Sequence, residues 1–259
     1  MKLLFSSMFL YEYSTEMIKK AAELAEYDGI EFWVETPYFW VDRSLEKLEC
    51  FSDFKVALHA PVLDLNPVSV NNGLCELTLK ETLYTISLAS KIRAKIVTVH
   101  AGKRSAHREP VWADYNSLHK FLRISSSFAK IKDVNISLEN SEKRINNLCK
   151  TAEELKTFVE LYDLKITLDI KHAISDAESF FDLLGRICNV HISSENEGKH
   201  IQASKSERVK EILKKLFELG YDGLLTVELD DLGIGNLDFG KKVEILKKEA
   251  EFVRRIFSR

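Results

Sequence analysis

The sequence predicts an α/β protein that folds as a single (β/α)8 barrel, with a site at the C-terminal ends of its parallel strands. Short β-type runs alternate with amphipathic helical patterns from one end of the chain to the other. There are eight such runs in 259 residues, and one barrel of this kind needs about 250 residues. Because no Pro-, Ser- or Gly-rich linker divides the chain, we expect residues 1–259 to form one domain.

The predicted elements follow one another in a regular order. The strand-like runs lie at 2–6, 29–34, 55–60, 95–100, 134–139, 165–169, 187–192 and 224–229. Capping boxes are expected to open three of the intervening helices, at Thr151, Ser175 and Ser204. Crossover helices between strands imply parallel pairing. A doubly wound open sheet is the alternative, but its usual Gly-rich first turn is replaced here by Ser6-Ser7-Met8.

Composition limits the class of protein. A formal net charge of −3 and a pI near 6.2 argue against a surface made throughout for nucleic acid. No apolar run approaches the roughly 18 residues of a membrane span. The four cysteines stand singly, which is typical of a reducing cytoplasm. A single glutamine, Gln202, beside abundant Lys and Glu indicates a thermophile, with AT-rich codon usage as the alternative explanation.

An acid or an imidazole stands near the C-terminal end of six consecutive predicted strands. These residues are His59, His100, Glu139, Asp169, His191 and Glu228. Two residues before each lies a small or polar residue, and the residue between is apolar. Because strand side chains alternate between faces, the small residues and the six ionisable residues are expected to point inward.

Six ionisable groups that meet at one barrel mouth would be costly without a compensating charge. A divalent cation supplies that charge to every acid at once. Mixed imidazole and carboxylate ligands favour Zn²⁺, Mn²⁺, Co²⁺ or Fe²⁺ over Ca²⁺. We therefore expect one to three divalent ions, with zinc and manganese favoured. His172, three residues after Asp169, and His200 are further candidates for a substrate contact or an additional metal.

Six short motifs follow one another in a fixed order. They are His-Ala-Pro at 59–61, Val-His-Ala-Gly at 99–102, Leu-Glu-Asn at 138–140, Asp-x-x-His at 169–172, a lone His at 191 and Val-Glu at 227–228. In this order they resemble the xylose isomerase-like TIM-barrel superfamily. That superfamily includes endonuclease IV and the sugar isomerases and epimerases related to tagatose 3-epimerase.

The epimerase-like members imply that Glu139, Asp169, His191 and Glu228 hold the metal. In those members the two Glu residues, here Glu139 and Glu228, transfer a proton. The resemblance further implies that His172 contacts the sugar. The endonuclease-like members imply a three-zinc cluster, in which His59 and His100 match two further ligands and His172 and His200 match two others. The Asp that these members place two residues before the last His is Gly198 here, which weakens the match to a complete three-zinc site.

The favoured function is therefore a metal-dependent isomerase or epimerase of a small sugar or sugar phosphate. Glu139 and Glu228 would be its acid/base pair, and the metal would stabilise an enediolate. Lys199 or His172 would bind a hydroxyl or a phosphate. One alternative is a zinc phosphodiesterase acting on abasic DNA, which makes nucleic acid the less favoured partner. The other is a metal-binding barrel without turnover. No membrane partner is expected, and a homodimer is compatible with the sequence.

Overall fold

In the computed structural model, which describes residues 1–258, the eight predicted strands close into a parallel barrel. Its strands are β1 (Lys2–Ser6), β2 (Gly29–Trp33), β3 (Lys55–His59), β4 (Ile96–His100), β5 (Asn135–Glu139), β6 (Lys165–Asp169), β7 (Ile187–Ile192) and β10 (Leu224–Val227). Strand β1 pairs with β2 on one side and with β10 on the other. This closure confirms the barrel and excludes the open doubly wound sheet.

Two short strands lie outside the barrel wall. They are β8 (Ser194–Asn196) and β9 (Lys199–Ile201), which pair as an antiparallel hairpin directly after β7. Gly198 occupies the turn between them with φ +78, a backbone conformation that glycine adopts without steric cost. None of the predicted strands covers this segment, and the hairpin places His200 beside the barrel mouth.

Helices connect the strands on the outside of the barrel. They are α1 (Thr15–Leu24), α2 (Pro37–Trp40), α3 (Glu46–Glu49), α4 (Asn72–Lys91), α5 (Trp112–Ile131), α6 (Ala152–Tyr162), α7 (Glu207–Glu218), α8 (Asp231–Ile234) and α9 (Phe239–Phe257). The connection from β6 to β7 contains a 3-10 helix, Ala177–Arg186, instead of an α-helix. None of the helices in residues 1–258 combines the length and the apolar character that crossing a membrane requires.

Of the three residues expected to open a capping box, only Thr151 caps its helix, and the Glu154 carboxylate accepts the Lys150 N–H instead of the Thr151 N–H. The Thr151 hydroxyl accepts the Glu154 backbone N–H at 3.2 Å and caps α6. Ser175 caps nothing, because the segment after it winds as a 3-10 helix preceded by Asp176. Helix α7 is capped by Ser206 rather than Ser204, because Ser204 donates instead to a buried carboxylate of α9.

The barrel interior is a layer of small polar side chains, as the strand alternation predicted. Thr167 Oγ1 lies 2.7 Å from Ser137 Oγ and 3.1 Å from Thr98 Oγ1. The Thr226 hydroxyl donates to Asn189 Oδ1 at 2.8 Å. All five side chains are fully buried, so these hydrogen bonds offset the cost of removing them from water. The ionisable residues of the mouth lie two residues further along the same strands, next to this layer.

The intervening apolar residues point outward and pack beneath the helices. Leu58, Val99, Leu138, Leu168, Val190 and Val227 are all buried in the shell between strands and helices. The main hydrophobic core is therefore a ring around the barrel, and a separate small apolar cluster is formed by the strand residues Leu4, Ala57 and Leu224.

Candidate metal centre

The six predicted ionisable residues meet at the C-terminal mouth of the barrel. Each of β3, β4, β5 and β6 ends on one of them, His191 is the penultimate residue of β7, and Glu228 directly follows β10. Five of the six are almost completely buried, whereas the His100 side chain is 35% exposed. The parallel strands therefore bring together residues that are far apart in sequence.

Three overlapping groups of side chains in residues 1–258 could each hold a metal ion. Within each group, one ligand atom per residue lies within 4.8 Å of the others. The first triplet is His59, His100 and Glu139, the central triplet is Glu139, Asp169 and His191, and the third triplet is Asp169, His172 and His200. Glu139 and Asp169 are each shared, so the triplets form one continuous cluster.

The central triplet contains three buried atoms without a hydrogen bond. They are Glu139 Oε2, Asp169 Oδ2 and His191 Nδ1, none of which makes a hydrogen bond of acceptable geometry with the described residues. Glu228 Oε2 lies 3.1 Å from His191 Nδ1 and adds a further oxygen. Each unsatisfied buried polar atom costs about 1–3 kcal/mol. A divalent cation would satisfy them together, and the mixed oxygen and nitrogen donors fit one.

The charges of these side chains are strongly coupled. Burial raises the pKa of the Glu139 carboxyl, but His100 and His191 outweigh it and hold that pKa well below its usual range. Burial lowers the pKa of the His191 imidazole, yet the carboxylates of Glu228, Glu31 and Glu139 together outweigh it and raise the pKa well above normal. For Asp169 burial dominates and raises the pKa. Acids and imidazoles at the mouth thus stabilise each other's charged forms.

The first triplet lies on the β3–β4 side of the mouth. His100 Nε2 is 3.2 Å from both His59 Nε2 and Glu139 Oε2. The other ring nitrogen of His59 lies 2.9 Å from Trp33 Nε1 and 2.8 Å from the Ala60 carbonyl oxygen. His59 is therefore held by β2 and its own strand end, with Nε2 facing the cluster.

The third triplet depends on the hairpin that follows β7. Strand β9 carries His200, whose Nδ1 lies 2.9 Å from Ser193 Oγ. The His172 backbone N–H donates to Asp169 Oδ1 at 2.9 Å, and its Nδ1 lies 2.9 Å from the Asn140 carbonyl oxygen. The acid of the third triplet is Asp169. Gly198, which stands where the endonuclease-like members have an Asp, lies in the hairpin turn.

Lys199 precedes His200 in β9, and successive strand residues point to opposite faces. Its Cβ lies beside Gly233, where a Cβ added to the glycine would be 3.1 Å away. Lys199 belongs to none of the three triplets.

Glu31 in β2 is a residue of the mouth that the sequence analysis missed. Its carboxylate is fully buried and accepts hydrogen bonds from Thr98 Oγ1 at 2.7 Å, Asn189 Nδ2 at 2.7 Å and His191 Nε2 at 2.9 Å. Because Nε2 is engaged, His191 presents Nδ1 to the central triplet. The available signal was an acid inside the otherwise apolar run Gly-Ile-Glu-Phe-Trp at 29–33.

A cavity of about 320 Å³ opens beside the cluster, between the loops that follow β3, β4 and β5. His100 and His172 form part of its wall. It connects the first and third triplets with the outer face of these loops, and so provides room for a ligand next to the candidate metal centre.

Comparison with known proteins agrees with this architecture. The chain is 34% identical to the uncharacterized protein MJ1188 of Methanocaldococcus jannaschii over 268 residues, covering 99% of both chains. A solved D-tagatose 3-epimerase-like protein is 28% identical, with a TM-score of 0.79 and full coverage of both chains. An L-ribulose 3-epimerase shares the fold at 18% identity and a TM-score of 0.78, covering 99% of this chain and 94% of its own. Residues 18–256 match the family model described as "Xylose isomerase-like TIM barrel", and the chain therefore belongs to that family.

Proposed function

We propose that the protein is a divalent-metal-dependent isomerase or epimerase of a small carbohydrate. The observation that carries this proposal is the central triplet, whose three buried side chains offer ligand atoms within 4.8 Å of one another and each leave one polar atom without a hydrogen bond. Residues of this type, on the C-terminal ends of barrel strands, are positioned for catalysis rather than for stability. The similarity to a D-tagatose 3-epimerase-like protein supports a carbohydrate as the substrate.

Glu139 and Glu228 are the proposed acid/base pair. Both carboxylates lie next to His191 Nδ1, with Glu139 Oε2 at 3.7 Å and Glu228 Oε2 at 3.1 Å. Each directs one oxygen to the cluster and keeps a second oxygen to take or return a proton. A bound divalent cation supplies Lewis acidity, which makes the proton next to a substrate carbonyl easier to remove. Burial excludes water from both carboxylates and preserves the proton for transfer.

His172 and His200 are proposed as substrate contacts or as ligands of a further metal. The rings of His172 and His200 lie edge to face, with centroids 5.9 Å apart. Both remain partly exposed, at 12% and 13% of the side chain, so a substrate in the mouth can reach them.

The test uses Glu228→Gln, which keeps the shape of the side chain and removes its charge. We expect a loss of about 10²–10⁴-fold in turnover of ketoses or aldoses, the usual contribution of a positioned acid or base. The control is Glu249→Gln, a buried carboxylate of α9 outside the mouth. Product formation is followed by chromatography over a panel of free and phosphorylated sugars. Full activity of Glu228→Gln would refute the role of Glu228.

Phosphodiester hydrolysis is the second candidate, because a specific observation favours it. The first and third triplets flank the central one, so the cluster offers ligands for two or three ions, as a multi-zinc hydrolase requires. This candidate would be supported if the protein cleaves an oligonucleotide that contains an abasic site and if His59→Ala and His100→Ala abolish the cleavage. No cleavage by the zinc-loaded protein would exclude it.

A further inference from the structure

The cavity beside the mouth has one wall built from two loops that are joined along their length. The Arg104 backbone N–H donates to the Asn146 carbonyl at 2.8 Å, and Leu148 N–H donates to the Gly102 carbonyl at 3.2 Å. A β-bridge pairs Lys103 with Asn147 between these two bonds. The loops after β4 and β5 therefore form one ordered wall rather than two independent segments.

This wall is cationic, although the chain as a whole carries a net charge of −3. The loop after β4 holds Lys103, Arg104 and Arg108 against one acid, and the loop after β5 holds Lys143, Arg144 and Lys150 against one acid. Four of these six side chains have acidic partners, namely Asp114, Asp176, Glu109 and, for Arg144, Glu142. The excess of positive charge is thus concentrated beside the candidate metal centre.

The two Lys or Arg side chains that line the cavity, Lys103 and Arg144, are not fully neutralised by acidic partners. Lys103 has no acidic partner within residues 1–258, and the residue is exposed. The Arg144 Nε contacts Glu142, but that carboxylate is shared with the buried Lys171. Arg144 Nη2 lies close to the Gly198 turn, 3.7 Å from where a Cβ added to that glycine would be, and 62% of the Arg144 side chain is exposed.

The side-chain amides of Asn66 and Asn147, which also line the cavity, are already engaged in hydrogen bonds within the protein. Asn66 donates to the Lys103 carbonyl at 2.7 Å and accepts the Lys103 N–H at 3.1 Å. Asn147 Nδ2 donates to the Glu142 carbonyl at 3.0 Å. The rest of the cavity lining includes apolar residues such as Leu65. The charged hydrogen-bond donors of Lys and Arg that line the cavity are the Lys103 ammonium and the Arg144 guanidinium.

We propose that this cavity holds a phosphate group of the substrate, so that the protein acts on a small phosphorylated sugar rather than a free one. Lys103 and Arg144 would bind the phosphate oxygens, Arg144 through its planar pair of Nη donors. The sugar would then extend from the loops past His100 and His172 to the central triplet. This inference rests on the proposed function, because it assigns the substrate class of the same site.

A small phosphate ester fits the cavity better than a polynucleotide. The volume of about 320 Å³ is that of a small-molecule site. The uncompensated cations form one short wall, whereas binding of a nucleic acid backbone depends on many phosphate contacts.

The test measures binding of ribose 5-phosphate and of ribose to the full-length, metal-loaded protein by calorimetry. We expect the phosphate ester to bind about tenfold or more tightly, because charge-assisted hydrogen bonds to phosphate are strong. In Lys103→Met/Arg144→Met this preference should disappear. The control, Arg123→Met/Lys214→Met, removes the same charge from exposed positions on α5 and α7 and should keep it. Metal content is measured for each variant, so that a change in bound metal is recognised.

Equal binding of ribose and its phosphate, or an unchanged preference in Lys103→Met/Arg144→Met, would overturn the proposal. Tighter binding of a short single-stranded DNA, lost in the same variant, would also overturn it and assign the wall to nucleic acid. Failure of the proposed function looks different. In that case the wild type prefers ribose 5-phosphate as expected, yet converts neither free nor phosphorylated sugars.

Discussion

Replacing Glu31 by glutamine removes one charge behind the candidate metal centre and leaves its hydrogen bonds largely in place. The glutamine oxygen can occupy the Oε2 position and still accept from Asn189 and His191, at 2.7 and 2.9 Å. Its amide can donate to Thr98 Oγ1, whose own proton can turn to Thr167 Oγ1 at 3.1 Å. The substitution therefore isolates the negative charge that orients and polarises the His191 imidazole.

The expected effect is weaker metal binding. Loss of a carboxylate that holds a metal-binding histidine typically lowers metal affinity by about 10–100-fold, or about 1.4–2.7 kcal/mol at 25 °C. We expect the upper half of this range for Glu31→Gln, because Glu31 is fully buried and its charge is poorly screened by solvent.

The assay is competition for Zn²⁺ or Mn²⁺ between the protein and a chromophoric chelator, which requires no substrate. Glu249→Gln is the matched control, since it neutralises a buried carboxylate that serves Ser204 and not the mouth. Its metal affinity should equal that of the wild type. An affinity of Glu31→Gln within twofold of the wild type would refute the positioning role, provided that circular dichroism shows both variants folded.

Two further predictions concern stability. Burial raises the pKa of Glu249 above the ordinary value of 4.5, so the native state binds that proton more tightly and stability falls as the pH rises from 4.5 through the native pKa. The free energy of unfolding of Glu249→Gln relative to wild type should therefore increase as the pH rises through this range, as measured by denaturant titrations. A difference in unfolding free energy that does not change with pH would contradict this. Thr167→Val should cost about 1–3 kcal/mol, because it breaks the bonds to Ser137 and Thr98 in the dry barrel interior; no loss in the same titrations would show that this polar layer contributes little.

The barrel and most of its mouth were predictable from sequence because both follow from the period of a strand. In β4, Thr98 and His100 alternate with Val97 and Val99, which fixes which side chains enter the barrel. The ends of parallel strands must meet at one face. Predicted and observed strand limits accordingly differ by two residues or fewer.

What the sequence did not predict depends on contacts between distant segments. Glu31 stands alone in an apolar run, and only the pairing across the barrel brings it to His191. The cap of α7 moved to Ser206, since Glu249 on another helix engages Ser204. The cationic wall needs the alignment of two loops that are about 40 residues apart. Local patterns carry no information on such partners.

The most direct test of a metal centre at the barrel mouth is the metal content of protein purified without added metal. Elemental analysis should find one tightly held divalent ion per wild-type chain and none in His191→Ala, which removes a nitrogen of the central triplet. Two or three ions per chain would favour hydrolysis over isomerisation. A wild-type chain that holds no ion, and binds neither Zn²⁺ nor Mn²⁺ when they are added, would contradict the metal centre itself.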